Sequence, residues 1–172
     1  MKRSRLAARA CGWLAVVCAL YGLAWSAESK PAAKPRPPEP TPQLQWLEYG
    51  QAVARGRKEE KHVLIDFYTD WCGWCKRMDR TTYGDAKVAR YLRQHFVLAK
   101  VNAESSKPIK VGADTTSGVK LARMFGVSSF PITWFLKPDG GRLARLQGFL
   151  PPDRFLEALQ YVHERRYEKG SP

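Results

Sequence analysis

From residue 43 onward the chain alternates between runs that are apolar throughout and stretches where apolar residues recur every three or four positions. Gln43 to Arg57 sets Leu44, Leu47 and Val53 at roughly helical spacing, predicting an amphipathic opening helix. His62 to Thr69 is apolar on both faces and rich in β-branched and aromatic residues, the mark of a central strand covered on both sides. A helix is predicted from the Cys72 turn to about Thr81, and Tyr83-Gly84-Asp85 breaks it. Asp85 is placed to cap a further helix through Val88, Ala89, Tyr91 and Leu92. Phe96 to Val101 reads as the next strand, and the polar, irregular stretch Asn102–Thr116 as a long loop. A helix starting at Thr116 or Ser117 stops at Gly126, and Pro131 stands before the strongly β-prone Ile132–Leu136. Lys137–Gly141 is a turn that returns the chain along Arg142–Phe149 as a hairpin, and Pro151-Pro152-Asp153 opens a last helix with Phe155, Leu156, Leu159 and Val162 on or near its buried side. The order α-β-α-β-α-β-β-α predicts an α/β sandwich: one sheet with helices on both faces.

The first 42 residues follow no such pattern. Lys2, Arg3, Arg5 and Arg9 precede an apolar stretch from Ala10 to Trp25, with small residues after it. Residues 1–27 therefore read as a signal peptide, or as a retained signal anchor. Residues 28–42 form a linker whose Lys30–Pro42 part holds six prolines and no apolar period. Such a segment is extended and semi-rigid, spanning roughly 40 Å. The predicted globular domain is 43–172.

Charge changes the picture little. Of the formal +13, the first 42 residues take seven basic and two acidic side chains, so residues 43–172 hold 22 and 14, a balance of +8. Much of it falls on predicted helix faces, as at Lys76, Arg77 and Arg80, and reads as solvated surface. The basic residues form no aromatic-interleaved platform, so nucleic acid is not an expected partner. A membrane tether through the N-terminal segment is compatible with the sequence, and the domain is expected to be a monomer.

Chemistry concentrates in Trp71-Cys72-Gly73-Trp74-Cys75-Lys76, directly after the central strand. Setting aside Cys11 and Cys18 in the leader, Cys72 and Cys75 are the domain's only cysteines. Two thiols at this spacing on the first turn of a helix can close a small disulfide ring. The helix N-terminus favours the thiolate of the first, which is the attacking species, so Cys72 is expected to be ionised and accessible. Cys75, one turn on, is the expected resolving thiol. A zinc site is the alternative, but it needs four ligands, and His62, His95 and His163 are scattered. No metal or other cofactor is expected. Asp66 lies in the middle of the apolar strand, where desolvation raises a carboxyl pKa toward neutrality and suits it to take the proton from Cys75. Trp71 is expected to be half buried and to shield the dithiol, and Trp74 to be exposed as a contact surface. Asp79 reads as an exposed helical charge or a tuner of the dithiol, and Asp70 as a turn residue.

Residues 43–165 resemble the thioredoxin family, through Asp66–Lys76, the Phe130-Pro131-Ile132 segment and Gly148-Phe149. Within it the chain is most similar to DsbD-type C-terminal domains, through Tyr68-x-Asp70-Trp71-Cys72-x-x-Cys75-Lys76, Asp79 and the extended Asn102–Thr116 segment. The resemblance implies a thioredoxin-like fold, a catalytic Cys72, Cys75 and Asp66, a cis Pro131 opposite the dithiol, and substrate contacts from Trp71, Trp74, Phe130 and Pro131. It implies an exported, periplasmic reductase of protein disulfides. Its upstream thiol donor would be a separate protein such as a DsbD-like membrane reductase, because this chain lacks a set of transmembrane helices. Trp74 stands where ordinary thioredoxins carry proline, which leaves open a disulfide oxidase or isomerase. A binding module or holdase without turnover is the third reading.

Overall fold

The computed structural model describes residues 43–169. The predicted leader, the proline-rich linker and Cys11 and Cys18 lie outside the described residues. In chain order the elements are β1 (Trp46–Leu47), α1 (Tyr49–Glu59), β2 (His62–Tyr68), α2 (Gly73–Thr81), α3 (Ala86–His95), β3 (Phe96–Asn102), β4 (Pro108–Val111), β5 (Asp114–Ser117), α4 (Gly118–Met124), β6 (Ile132–Leu136), β7 (Arg142–Gln147) and α5 (Pro152–His163). A 3-10 turn, Arg166–Glu168, follows.

The main sheet runs β1-β3-β2-β6-β7, with β2 parallel to β3 and antiparallel to β6. This mixed order puts β2 in the centre, which is why its sequence is apolar on both sides. Val63, Ile65 and Phe67 point into one core with Ala52 of α1 and Leu121 and Ala122 of α4. Leu64 points into the other, with Met78 of α2, Val88 and Leu92 of α3, and Phe155, Leu159 and Val162 of α5. Helices thus cover both faces of one central sheet. Each fully buried Leu, Ile or Phe in these layers contributes roughly 1.5–3 kcal/mol of transfer free energy.

Local signals start the helices where the sequence predicts. Asp85 accepts hydrogen bonds from the backbone N–H groups of Lys87 and Val88 and caps α3. The Ser117 hydroxyl accepts from Lys120 N–H at the start of α4. Gly126, just past α4, has φ +63°, a conformation natural to glycine.

Two expectations fail, both for long-range reasons. The opening helix does not begin at Gln43: Trp46 and Leu47 pair in parallel with Leu98 and Ala99 of β3, and helix begins only at Tyr49. An otherwise open sheet edge has captured residues whose own spacing is helical. The predicted loop Asn102–Thr116 contains a hairpin, β4 against β5, turning at Gly112 with φ +61°. Its strands are largely exposed and polar, so they carry little alternation to read. Ile109 anchors the hairpin against the core, and β4 passes so close to α1 that a side chain at Gly50 would collide with the Lys110 carbonyl.

Candidate functional site

Strand β2 delivers the chain to a tight turn in which the Cys72 N–H donates to the Thr69 carbonyl at 3.2 Å. Cys72 is the N-cap of α2, and its Sγ accepts from the Cys75 N–H at 3.1 Å. The sulfur therefore lies at the positive end of the helix, on a backbone donor that favours developing thiolate charge. Cys72 and Cys75 are joined as a disulfide, with Cα atoms 5.3 Å apart.

The pair is more sheltered than its sequence position implies. Cys72 is 5% exposed and Cys75 4%, so the accessible first thiol expected from the sequence is not present in this oxidised form. The shielding does not come from a half-buried Trp71 either. That ring is 66% exposed, its N–H shared by both carboxylate oxygens of Glu104 at 3.0 Å. A polar anchor on Glu104, the one acid of the Asn102–Glu104 turn, holds the indole outward, where burial would have drawn it in. Trp74 is exposed, as expected.

Phe130 and Pro131 come to the same end of the sheet. Ile132 pairs with Phe67, one residue before the end of β2, so the two residues preceding β6 arrive beside the dithiol turn. The Phe130 ring meets Trp71 edge-on at 6.0 Å. The Phe130–Pro131 peptide bond is cis, and the Pro131 carbonyl accepts from Gly148 N–H at 2.8 Å.

Asp66 is 2% exposed and faces the layer of α2, α3 and α5. Burial, the dominant cause, pushes its pKa up to about 6, with the Lys100 ammonium opposing the rise. Lys100 occupies the in-register position on β3, and its Nζ lies 3.6 Å from one Asp66 oxygen. The other oxygen has no hydrogen-bond partner. The same ammonium is ion-paired with Asp79 on α2, so it bridges the buried carboxylate to the helix that carries the dithiol. On the other side of Asp66, the in-register residue of β6 is Thr133, whose hydroxyl lies 3.3 Å from the buried Tyr83 hydroxyl. Burial and the nearby Asp66 charge hold the Tyr83 phenol well above its usual pKa. The arrangement can take up or release one proton at about pH 6 on the sheet face covered by α2, the helix that carries Cys75.

Sequence reasoning missed Lys100, Tyr83, Thr133 and Glu104. A readable signal existed for two of them. Lys100 and Thr133 are polar residues inside apolar strand runs, as Asp66 is, and the three form one row across β3, β2 and β6. The other residues weighed in the sequence sit apart or at the rim. Asp70 accepts from the Asn102 side-chain amide at 3.1 Å. His62, at the start of β2, is buried against the Tyr167 hydroxyl at 2.8 Å, while His95 and His163 pack ring to ring at 4.0 Å. Among the described residues no three His, Cys, Asp or Glu side chains are grouped to hold a metal ion.

A central mixed sheet between two helical layers, with a Cys-x-x-Cys pair capping the helix after its middle strand, defines a thioredoxin-like dithiol protein. A family model described as thioredoxin-like domain matches residues 49–163, and the chain belongs to that family. It is 32% identical over 117 residues to the thiol:disulfide interchange protein DsbD of Vibrio vulnificus, a match covering 67% of this chain and 18% of the relative. The chain thus spans less than a fifth of that relative's length. Among solved structures, a thioredoxin from Thermus thermophilus is 31% identical with a TM-score of 0.58, covering 69% of this chain and 86% of that one. The reduced Neisseria meningitidis DsbD C-terminal domain is 27% identical with a TM-score of 0.50, over 64% and 90% of the two chains.

Proposed function

We propose that this protein is an exported thiol–disulfide oxidoreductase that reduces protein disulfides through Cys72 and Cys75. Family membership and the cysteine pair support the oxidoreductase class; direction and compartment are the proposal. In the reducing cycle the Cys72 thiolate attacks a substrate disulfide, forming a mixed disulfide and releasing one substrate thiolate, which is protonated. Cys75 then loses its proton to the Asp66 carboxylate and attacks Cys72, expelling the second substrate thiolate and closing the Cys72–Cys75 bond. Two electrons pass from the dithiol to the substrate, and an upstream thiol donor must reopen the ring. The relatives named DsbD favour a DsbD-type membrane reductase in that role, with the N-terminal segment directing export to the periplasm and either cut away or kept as a tether. Trp71, Trp74, Phe130 and Pro131 form the rim where a substrate strand would lie, and the protein works as a monomer.

The observation that carries this reading is the Cys72 sulfur at the N-cap of α2, bonded to Cys75, in a protein whose Asp66 carboxyl is buried with a pKa of about 6. Cys72→Ser should abolish disulfide reduction, and Cys75→Ser should accumulate a mixed disulfide with substrate. A parent protein that reduces no disulfide, with client affinity unchanged in Cys72→Ser, would leave only a binding module. Equilibration of the Cys72–Cys75 pair with glutathione fixes direction: reducing and oxidising members of this fold differ by roughly 150 mV. A potential at the oxidising end would reverse the assignment to an oxidase.

A further inference from the structure

The rim around the dithiol is electrically lopsided. At the Trp71 end stand Asp70 and Glu104, both carboxylates held by single donors, Asn102 and the Trp71 indole. At the Trp74 end Arg77, one turn along α2, is exposed, and Lys76 and Arg80 are exposed elsewhere on the same helix. Among the described residues none of these three cations has a carboxylate within 4.0 Å, whereas Lys100, Arg55, Arg154 and Arg166 all do.

Arg77 is held in place all the same. Its guanidinium lies 5.1 Å from the centre of the Trp74 ring and 4.9 Å from that of Phe149, and the two rings are 5.6 Å apart. Both aromatic rings hold the guanidinium by cation–π contact. A guanidinium matches a carboxylate in bidentate fashion, and contact with two rings restricts the rotamers that binding would otherwise have to order. Trp74 is 55% exposed and adjoins Cys75, so whatever rests on this ledge rests beside the reacting sulfurs.

We propose that the Trp74–Arg77–Phe149 ledge docks an acidic stretch of the partner polypeptide, flanking the disulfide being exchanged, with its carboxylate on the Arg77 guanidinium. This rests on the exchange reading above and names the class of partner. Asp70 and Glu104 at the opposite end repel the same charge, so the acidic residues of the partner lie on the Trp74 side only, which fixes the direction in which it crosses the dithiol.

The test uses three disulfide-linked peptides identical except for Glu, Gln or Lys at two positions beside the cysteine, and three matching peptides with serine for cysteine. With the reduced protein at low ionic strength, the Glu disulfide should be reduced about tenfold faster than the Lys one. The ratio should shrink towards unity in 1 M salt, where screening acts within about 3 Å. Arg77→Gln should lower that ratio at least about threefold, and Arg77→Lys, which keeps the charge without the planar fork, should restore only part of it. Because each ratio is taken within one protein, a general loss of activity cancels. The serine peptides read docking without chemistry: the Glu form should shift the Trp74 indole N–H resonance and the Lys form should not. Peptides that bind in this way while no disulfide is reduced would uphold the ledge and overturn the exchange reading. Equal rates for Glu and Lys disulfides, a ratio unchanged by Arg77→Gln, or a Trp74 shift that follows protein concentration without peptide would each overturn the ledge.

Discussion

The two faces of strand β2 are built from alternate residues of one short segment, yet they are different chemical environments. On one face Val63, Ile65 and Phe67 pack into an apolar cluster with residues of α1 and α4. On the other, Leu64 is followed by Asp66, and the row continues sideways to Lys100 on β3 and Thr133 on β6. The first face is ordinary core, and its worth is set by packing and apolar area. The second gives up stability to keep an ionisable group out of water: desolvation puts the Asp66 pKa near 6, and Lys100 only partly offsets it. The costly face is the one that α2, the helix carrying Cys75, packs against. A protein tolerates a strained buried charge where chemistry needs a proton held loosely, and packs tightly elsewhere.

Four substitutions sharpen that contrast. Ile65→Ala, on the apolar face, should remove about 2–5 kcal/mol of stability at any pH, through lost transfer energy and an unfilled cavity; denaturant melts at two pH values check both size and flatness. Asp66→Asn, one residue along, should behave oppositely. The folded protein holds the Asp66 proton more tightly than the unfolded chain, whose pKa is about 3.9. Ionisation therefore destabilises the fold: the penalty is absent below about pH 4, grows through the interval, and is complete above about 6. Between those limits the stability of Asp66→Asn relative to the parent should rise by about 3 kcal/mol. A relative stability that stays level with pH would mean that Asp66 titrates at its ordinary value. Lys100→Met removes the opposing charge, so the Asp66 pKa should rise further and the pH window should move upward, as followed by carboxyl resonances on titration. Asp85→Ala, away from both faces, should cost only about 1 kcal/mol for a lost helix cap. An effect larger than that of Ile65→Ala would break the ranking.

The elements that were legible in the sequence are those whose cause is local. The apolar run of β2, the Asp85 cap and the Gly126 stop each follow from residues within a turn of one another, so their positions were readable. Where a distant strand intervened, reading failed: β1 exists because β3 offered an edge, and the β4–β5 hairpin because Ile109 found the core. The site divides in the same way. Cys72, Cys75 and Asp66 stood out from spacing and context, since a dithiol on a first helical turn and a carboxyl in an apolar strand are local anomalies. Lys100 and Thr133 were anomalies of the same kind, but only strand register joins them to Asp66, and only the turn after α2 brings Tyr83 to Thr133. Trp71 was misjudged as half buried because its anchor, Glu104, lies on a turn that follows a different strand.

The sequence by itself determined the order of most elements, the dithiol at a helix start and the misfit carboxyl on the central strand, because each depends on residues close along the chain. Tertiary structure alone decided how sheltered the cysteines are, which way Trp71 faces, and that Lys100 joins Asp66 to Asp79. Burial and pairing across strands are set by register between segments far apart in sequence, and no periodicity within either segment encodes that register.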